Sequence, residues 1–478
     1  MDVVIGLDVG TGGARAFAVS ETGDVVARAS ASFVHPPTSS QPGWAEQDAR
    51  EWWNAACACL QALSKPLAGF HIVALAADST SGTFVPLDDT GEPIAPALMY
   101  NDNRAAGLED AVNAAAGDFT QRMGYTFPPA FALVKLAWLA QNRPDLVTAT
   151  EVFTHATDYL VGKLTGNFHI TDTSNALKTG VDLMTGTWPD FIEDLGIPRG
   201  KLPQVVRPGS GIGAVTPQAA VETGLPMGTP VIAGATDGTA AFLASGACRP
   251  GDWNITIGTT IVLRGVATDL IVDPLGRYYS HRHPDGAWLP GGASNVGGEA
   301  LQKTFGGQIA ALDSGAEAYL PTGIVAYPLV RTGERMPFVS PDAQGLLIGT
   351  PADEGEHFAA TVEGIALVAA WSVREAEALG APANGEFFLT GGAAHGRTLG
   401  QVLAAALDMP LHVAAEPDAA FGSALLAAGW AWHSGSVSDA QVAMVRRAQT
   451  IPVRAEWVDA YQTKLEALKA ACRSKGYL

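Results

Sequence analysis

Short apolar runs alternate with amphipathic stretches along the N-terminal part of the chain. A glycine turn separates the first two apolar runs, and a turn at residues 21–24 leads into a third, so the pattern predicts three consecutive strands. Asp48 and Glu51 then predict an acidic capping box at the start of a helix with one apolar face. The apolar runs predict strands at Val3–Leu7, Ala14–Val19, His71–Ala77 and Pro96–Tyr100. This alternation predicts an α/β fold.

A strand–Gly-Thr–strand pattern occurs twice. The first copy centres on Gly10 and Thr11, and the second on Gly258-Thr259-Thr260, between the apolar runs Asn254–Ile257 and Ile261–Val266. Because each copy lies near the front of a half-chain, the pattern predicts two similar domains. We assign them to residues 1–245 and 246–478, and the charged tail from about Ser438 is helical in pattern.

Composition narrows the class of protein. The 478 residues include 47% hydrophobic and only 16% charged residues, which is typical of a well-packed globular protein. A net charge of −19 argues against a nucleic-acid partner, whereas a nucleotide remains compatible because backbone N–H groups and a metal ion hold phosphates locally. No apolar run reaches the roughly 20 residues of a membrane span. We therefore expect a cytoplasmic protein with no membrane partner.

The first glycine turn is a candidate phosphate and metal site. Thr11, Gly12 and Gly13 allow backbone N–H groups to approach an anion closely. Asp8, at the end of the first predicted strand, is placed to hold Mg²⁺ directly or through water. A plain hairpin turn explains the same residues equally well.

Two further glycine turns lie in the second half. Gly258, Thr259 and Thr260 are candidates for contacting the same phosphates. Gly391-Gly392-Ala393 follows a short apolar run and precedes a predicted helix, a geometry in which a helix start receives part of a nucleotide. The patterns of the dinucleotide-binding fold and of the lysine-bearing phosphate loop are not matched.

An aspartate ends the apolar run of residues 231–236. A carboxylate there could accept the proton of a hydroxyl group that attacks a γ-phosphate. The same residue, Asp237, could instead cap a helix that we expect to start at Thr239.

Taken together, the glycine turns and several further segments resemble the carbohydrate-kinase family that includes glycerol kinase, xylulokinase and ribulokinase. The landmarks follow the family's order from end to end. They are Gly43–Asp48 with Trp52-Trp53, Lys135-Leu136 with Trp138-Leu139, Thr332–Arg335 with Pro337, and Glu363–Ala366.

The resemblance implies a fold and an activity. It implies two actin-like ATPase domains, of the ribonuclease H type, around a central cleft, and an ATP- and Mg²⁺-dependent transfer of phosphate to a sugar. Asp237 is then the catalytic base and a sugar ligand. The adenosine group would lie near Gly298, Gln302, Gly391 and Gly392. The resemblance also implies a homodimer.

The segment after the strand at His71–Ala77 bears on the sugar. Xylulokinases usually carry a Gln-Met-His-Gly pattern there, whereas this chain has Ser79-Thr80-Ser81-Gly82. Small hydroxyl side chains both donate and accept hydrogen bonds to sugar hydroxyls. We expect Thr80, Ser81 and Asp102 to bind the sugar, although Asp102 also fits an ordinary polar turn. The segment is similar to that of the D-ribulose kinase branch.

Other readings remain open. D-xylulose, L-ribulose or a polyol are alternative substrates within the same family. A non-enzymatic actin-like ATPase, such as a filament protein, is the alternative from another class, because this scaffold hosts several functions.

Overall fold

The chain divides into two units, and the computed structural model describes residues 1–392 and 396–478. The first unit consists of the segments Met1–Ala244, Pro284–Gly286 and Asp418–Val445; the second consists of Ser245–His283, Ala287–Pro417 and Arg446–Leu478. The first crossing between units therefore lies next to the division expected at residue 245. The segment from Asp418 differs, because it returns to the first unit.

The strands are short, and most of those in the two large sheets are buried. They are β1 (Asp2–Val9), β2 (Gly13–Ser20), β3 (Val25–Ser32), β4 (Glu46–Gln47), β5 (His71–Ser79), β6 (Phe84–Leu87), β7 (Ala97–Leu98), β8 (Val152–His155), β9 (Ile170–Asp172), β10 (Gln204–Val206), β11 (Gly211–Ala214), β12 (Pro230–Thr236), β13 (Trp253–Ile257), β14 (Ile261–Gly265), β15 (Tyr279–Arg282), β16 (Trp288–Ser294), β17 (Val325–Tyr327), β18 (Leu346–Ile348), β19 (Phe387–Thr390), β20 (Leu411–Ala414) and β21 (Arg447–Ile451).

The helices range from single turns to a long buried helix in the second unit. They are α1 (Arg50–Ser64), α2 (Glu109–Ala116), α3 (Asp118–Met123), α4 (Ala132–Asn142), α5 (Pro144–Ala149), α6 (Ala156–Thr165), α7 (Thr173–Ala176), α8 (Phe191–Asp194), α9 (Pro217–Thr223), α10 (Asp237–Ser245), α11 (Gly298–Phe305), α12 (Ile309–Ala316), α13 (Glu354–Ala378), α14 (Leu399–Leu407), α15 (Ala419–Trp432), α16 (Val437–Met444) and α17 (Ala455–Ser474).

A six-stranded sheet with the order β11-β12-β5-β1-β2-β3 forms the centre of the first unit. β1, β2 and β3 are an antiparallel meander, and β5 and β12 continue the sheet parallel to β1. β11 pairs antiparallel at the far edge. A separate four-stranded sheet, β4-β7-β6-β8, belongs to the same unit.

The second unit repeats this topology in a sheet with the order β15-β16-β14-β13-β19-β20-β21. β13, β14 and β16 are antiparallel neighbours, β19 and β20 run parallel to β13, and β21 pairs antiparallel at the edge. β15 adds one strand beyond β16. The prediction of two similar α/β domains is confirmed by this repetition.

Helix α15 packs closely on the first sheet at two glycines. A Cβ atom on Gly6, in β1, would lie 1.8 Å from the carbonyl oxygen of Ala420. A Cβ atom on Gly422 would lie equally close to the carbonyl oxygen of Ala240, in α10. Only glycine fits at both positions, so α15 fixes β1 and the helix that begins at Asp237 relative to each other.

Two local predictions are wrong. The tail is not helical throughout, because β21 interrupts it; only Ile451 of that strand is buried, so its sequence carries no apolar periodicity. At α1, Glu51 does not complete a capping box. Its carboxylate accepts hydrogen bonds from the backbone N–H groups of Val34 and His35, each at 3.1 Å, and thereby anchors the preceding loop.

None of the described helices combines the length and apolarity that crossing a bilayer requires. Each cysteine carries a free thiol: Cys59 and Cys472 are buried, whereas Cys57 and Cys248 are half-buried.

Candidate active site

Three parallel neighbours in the first sheet lead to acidic residues. The carboxyl ends of β1, β5 and β12 reach Asp8, Asp78 and Asp237. In the sheet, Asp78 lies directly opposite Asp8 on one side. On its other side it lies opposite Ala235, two residues before Asp237. Because parallel strands end at the same edge, the sheet brings the predicted metal ligand and the predicted base to one edge, where ligands of α/β sheets commonly bind.

Asp8 is buried and paired with a cation. Nη2 of Arg15 donates to Oδ2 of Asp8 at 2.9 Å, and Nη1 donates to Oδ2 of Asp418 at 3.0 Å. Burial raises the pKa of the Asp8 carboxyl from its ordinary value, and the charge of Arg15 opposes that shift. The role of Asp8 as a magnesium ligand stays a prediction.

Asp78 is a buried acid that the sequence analysis does not assign to the site. Its side chain is fully buried, Ser423 Oγ donates to its Oδ2 at 2.6 Å, and no donor among the described residues reaches its Oδ1. Burial, and next the charge of Asp8, raise the pKa of Asp78 well above its usual range.

The turn between β1 and β2 leaves an open backbone surface at its tip. The Gly10 N–H donates to the Gly13 carbonyl at 3.0 Å, and Thr11 and Gly12 are exposed. A Cβ atom on Gly13 would lie 2.2 Å from the Ala31 carbonyl oxygen, whereas one on Gly12 would meet nothing within 4 Å. Gly13 therefore serves the packing against β3, and the open backbone at Thr11 and Gly12 is the part available to an anion.

The loop after β5 carries the predicted sugar ligands. The hydroxyls of Thr80 and Thr83 lie 2.8 Å apart, and Thr83 Oγ1 also accepts the Tyr100 N–H at 3.0 Å. The buried Oγ of Ser81 has no hydrogen-bond partner among the described residues. A buried hydroxyl without a partner is costly unless a ligand satisfies it. Sugar binding by Thr80 and Ser81 stays a prediction.

Lys135, on α4, binds the backbone of this loop. Its Nζ donates to the carbonyl oxygens of Gly82 at 2.8 Å and Met99 at 2.6 Å, and its side chain is fully buried. Burial lowers the pKa of Lys135 to about 7. The lysine that marks the family resemblance thus links the loop to the segment after β7.

Asp102 is also fully buried, and protein donors surround its carboxylate. The Ala45 N–H donates to it at 2.6 Å, and Nε and Nη2 of Arg104 each donate at 2.9 Å. The Arg104 guanidinium stacks on Trp44 at 3.8 Å from the ring centroid. Asp102 therefore stabilises the loop that contains it and joins that loop to Ala45. Its contact with the sugar stays a prediction.

Asp237 is the first residue of α10, two residues before the expected helix start. It is half-buried, and its Oδ1 accepts the N–H of Gly238 at 2.6 Å. A carboxylate in the first turn of a helix is favoured in its ionised form. Its role as base stays a prediction.

Asp172, at the end of β9, is a further buried acid of this unit. It caps α7, and its Oδ1 accepts the N–H of Ser174 at 2.8 Å and the hydroxyl of Ser174 at 2.5 Å. Burial, with a contribution from the charge of Asp158, raises the pKa of Asp172 to about 6.

In the second unit, the second Gly-Thr turn rests on the start of α11. The N–H groups of Gly298 and Glu299 donate to the carbonyl oxygens of Gly258 and Thr259 at 2.8 and 3.2 Å. A Cβ atom on Gly297 would lie 2.6 Å from the Thr259 carbonyl oxygen. Glycine at this position therefore permits the close approach of the turn to the helix.

Beside this turn lies a cavity of about 900 Å³, large enough for a nucleotide. Of the predicted nucleotide ligands, Gly258, Thr259, Gly298, Gln302 and Gly392 line the cavity, whereas Thr260 and Gly391 do not. Gly391 takes a φ of +83°, and Ala393 lies outside the described residues. The sequence analysis misses the rest of the wall, which includes Leu301, Ile309, Ala310, Asp313, Phe358 and Val362.

Two family models match the chain. Residues 3–244 match the N-terminal domain of the FGGY family of carbohydrate kinases, and residues 253–432 match its C-terminal domain. The chain belongs to this family. It is therefore an ATP-dependent phosphotransferase that acts on a sugar hydroxyl group, and the family resemblance given by the sequence is confirmed.

Individual relatives of this carbohydrate kinase carry different names. It is 32% identical to a xylulose kinase of Streptomyces rubiginosus over 73% of this chain and 71% of that protein. It is 29% identical to a glycerol kinase of Alkalilimnicola ehrlichii over 93% of both chains. The crystal structure of xylulose kinase from Rhodospirillum rubrum matches with a TM-score of 0.88 and 29% identity, covering 99% of this chain and 98% of that one.

The buried acid Asp172 generates a prediction about pH. The raised pKa means that the folded kinase binds more protons than the unfolded chain between about pH 4 and pH 6. The contribution of Asp172 to stability is therefore present below about pH 4 and is lost as the pH rises through 6, by about 3 kcal/mol.

We expect Asp172→Asn to lack this loss. Asn175 donates to Asp172 through Nδ2, and its Oδ1 has no partner among the described residues, so its amide can rotate to accept from an asparagine at position 172. The measurement is the free energy of unfolding of both proteins by denaturant at pH 4.5, 6 and 7.5. A constant difference between the two proteins across that range would contradict the prediction.

Proposed function

We propose that this carbohydrate kinase phosphorylates a pentulose and that D-ribulose, which yields D-ribulose 5-phosphate, is its preferred substrate. The observation that carries the proposal is the loop after β5, where small hydroxyls replace the bulkier pattern usual in xylulokinases. Ser81 Oγ is buried there without a partner among the described residues, beside Thr80. A sugar hydroxyl would satisfy that group, and a loop without large side chains accepts a polar ketose.

D-xylulose is the second candidate. It is supported by the names of relatives, since the protein of Streptomyces rubiginosus at 32% identity is a xylulose kinase. The two sugars differ in the configuration of the hydroxyl group on the carbon next to the carbonyl. Residues 80–81 would distinguish them by hydrogen bonds to that hydroxyl.

The mechanism assigns each step to residues of this chain. The sugar binds at the loop after β5, and its terminal hydroxyl donates a hydrogen bond to the carboxylate of Asp237. As that oxygen attacks the γ-phosphorus of ATP, the proton passes to Asp237, the bond to the β-phosphate oxygen breaks, and ADP leaves. A carboxylate of ordinary acidity suffices, because the proton is transferred late in a loose transition state.

The donor set at the edge of the first sheet fits Mg²⁺. Asp8 supplies a carboxylate, a hard oxygen donor, and Oδ1 of Asp78 opposite it has no hydrogen-bond partner among the described residues. No cluster of three or more acidic, histidine or cysteine side chains able to hold a metal occurs in the described part of the chain, and Mg²⁺ usually binds one or two carboxylates together with phosphates. When bound, the ion would neutralise phosphate charge.

The nucleotide is assigned to the cavity of the second unit. Its wall is formed mostly by glycines and apolar side chains, with Thr259, Glu299, Gln302 and Asp313 as polar groups. Backbone groups at Gly258 and Thr259 would meet the phosphates, and the apolar wall would hold the base.

We expect D-ribulose to stimulate ADP release most strongly. The test is a coupled assay with Mg·ATP against D-ribulose, D-xylulose, L-ribulose, ribitol and glycerol. A kcat/KM at least about tenfold above that of the other sugars supports the proposal, since a site that hydrogen-bonds a substrate hydroxyl discriminates against a sugar that lacks it in that configuration. A preference for D-xylulose would contradict the reading of residues 80–81.

Asp237→Asn is expected to lower kcat by at least about 100-fold while binding of both ligands persists, because the amide cannot accept the proton. Binding is measured by calorimetry and turnover by the same coupled assay. Asp118→Asn, an exposed acid in the first turn of α3, is the matched control and should behave as the parent enzyme. Near-normal turnover of Asp237→Asn would remove this residue as the base.

A bulky side chain in the cavity should weaken nucleotide binding. Ala310 lines the cavity, whereas its exposed neighbour Ala311 on α12 does not. We expect Ala310→Phe to raise KM for ATP about tenfold or more with an unchanged KM for the sugar, and Ala311→Phe to change neither. Equal effects of the two variants would argue against this cavity as the nucleotide site.

A further inference from the structure

The peptide bond between Ala235 and Thr236, one residue before Asp237, is held at both polar ends by hydroxyl groups from outside its strand. The carbonyl oxygen of Ala235 accepts from Thr157 Oγ1 at 3.1 Å, and the N–H of Thr236 donates to Ser174 Oγ at 2.9 Å. Thr157 lies in the first turn of α6 and Ser174 lies in α7. Each of these two side chains is only 1% exposed, so water does not compete for the bonds.

The hydroxyl of Ser174 has a fixed orientation. It donates its proton to Oδ1 of Asp172 at 2.5 Å, which leaves a lone pair for the N–H of Thr236. Hydrogen bonds to a carboxylate are shorter and stronger than those between neutral groups. Asp172, Ser174 and the peptide of Thr236 therefore form a chain of bonds that ends one residue before Asp237.

The end of β12 requires such support because its ladder is irregular. Val231 and Ile232 pair in register with β5, and the pairing resumes with a shift at Ala235. A Cβ atom on Gly234 would lie 1.8 Å from the carbonyl oxygen of Ala77, so the two strands approach too closely there for a regular ladder of side chains. Pairing resumes at Ala235 and Thr236, which lie opposite Asp78 and Ser79, so the two hydroxyl groups add to a ladder that the shift weakens at this point.

We propose that Ser174, oriented by Asp172, is a positioning residue for phosphoryl transfer. It acts through the Thr236 peptide to aim the Asp237 carboxylate at the sugar hydroxyl, and Thr157 fixes the opposite end of the same peptide. This inference rests on the proposed role of Asp237 as the base. Ser174 itself touches neither substrate. Small misplacements of a catalytic group, of the order of 1 Å, cost about 100-fold in rate.

The test compares Ser174→Ala with Ser174→Thr and with the control Ser372→Ala. Ser372 is an equally buried serine whose hydroxyl bonds to the Val368 carbonyl within α13 of the second unit. Ser174→Ala should lower kcat by about 10- to 100-fold, with KM for ATP and for the sugar within about twofold of the parent values. Ser174→Thr keeps the hydroxyl and should recover most of kcat, and Ser372→Ala should leave it unchanged.

A second measurement separates positioning from a general structural role. Because Ser174 acts through Asp237, adding Ser174→Ala to Asp237→Asn should cause no further loss of the residual turnover. An undiminished further loss in that background overturns the proposal, and so does a parental kcat in Ser174→Ala. If Ser174→Ala does not fold, Thr157→Val tests the other end of the peptide. Its control is Thr150→Val, a buried threonine that bonds to the Leu146 carbonyl at the end of α5.

The outcomes also distinguish this inference from the proposed function. Near-normal turnover of Asp237→Asn removes the base assignment and, with it, the positioning role of Ser174. A large loss in Asp237→Asn without any loss in Ser174→Ala or Thr157→Val removes the positioning role alone.

Discussion

The site of the first unit depends on two carboxyl groups that the sheet forces together. β1 and β5 are buried parallel neighbours, and their register sets Asp8 opposite Asp78. When two buried carboxyl groups lie opposite each other, ionising both costs free energy because the charges repel and are poorly solvated. Burial, and next the charge of Asp8, therefore raise the pKa of Asp78 well above its usual range. Arg15 favours the ionised form of Asp8, whereas burial and the charge of Asp8 favour the neutral form of Asp78 despite the hydrogen bond from Ser423, so one charge on the pair is favoured over two. A single ionised oxygen at the sheet edge then remains available to a cation without the cost of a second buried charge.

The second unit repeats the same strand order, and the equivalent positions show how the two units differ in chemistry. Thr256 lies two residues before the second Gly-Thr turn, as Asp8 does before the first. Thr390 lies opposite Thr256 in the ladder. The hydroxyls of these threonines lie 2.8 Å apart, and Asn254 bonds to both. A neutral hydroxyl pair needs no metal and no counter-ion. The duplicated fold thus carries a buried acidic pair at the strand ends of one unit and an uncharged hydroxyl pair at the equivalent strand ends of the other.

The parts of this arrangement that the sequence predicts are local, and the parts that it hides involve distant residues. Two Gly-Thr hairpins, the apolar run before Asp237 and the hydroxyl-rich loop are contiguous patterns, so the two-domain fold and the candidate residues of these segments could be predicted from them. Asp78 stood beside the predicted sugar loop, but its importance comes from Asp8 and from Ser423, which lies 345 residues further along the chain. Ser423 belongs to α15, whose return to the first unit no periodicity reveals. The sequence also did not predict that α12 lines the cavity. An apolar helix face has the same sequence pattern whether it lines a cavity or packs in a core.

In the loop after β5, the groups that hold the backbone differ from the side chain of Ser81, which we propose to contact the sugar. The backbone of this loop is held by side chains from elsewhere: Lys135 binds the carbonyl of Gly82, and Lys178 lies 3.4 Å from the carbonyl of Ser81. Ser79 adds a bond from its hydroxyl to the carbonyl of Val9. The side chain of Ser81 contributes no hydrogen bond to this framework among the described residues, so its replacement changes the pocket while the backbone keeps its support. In a loop built in this way, a side chain such as that of Ser81 can differ between members of one family while the bonds that hold the loop are kept.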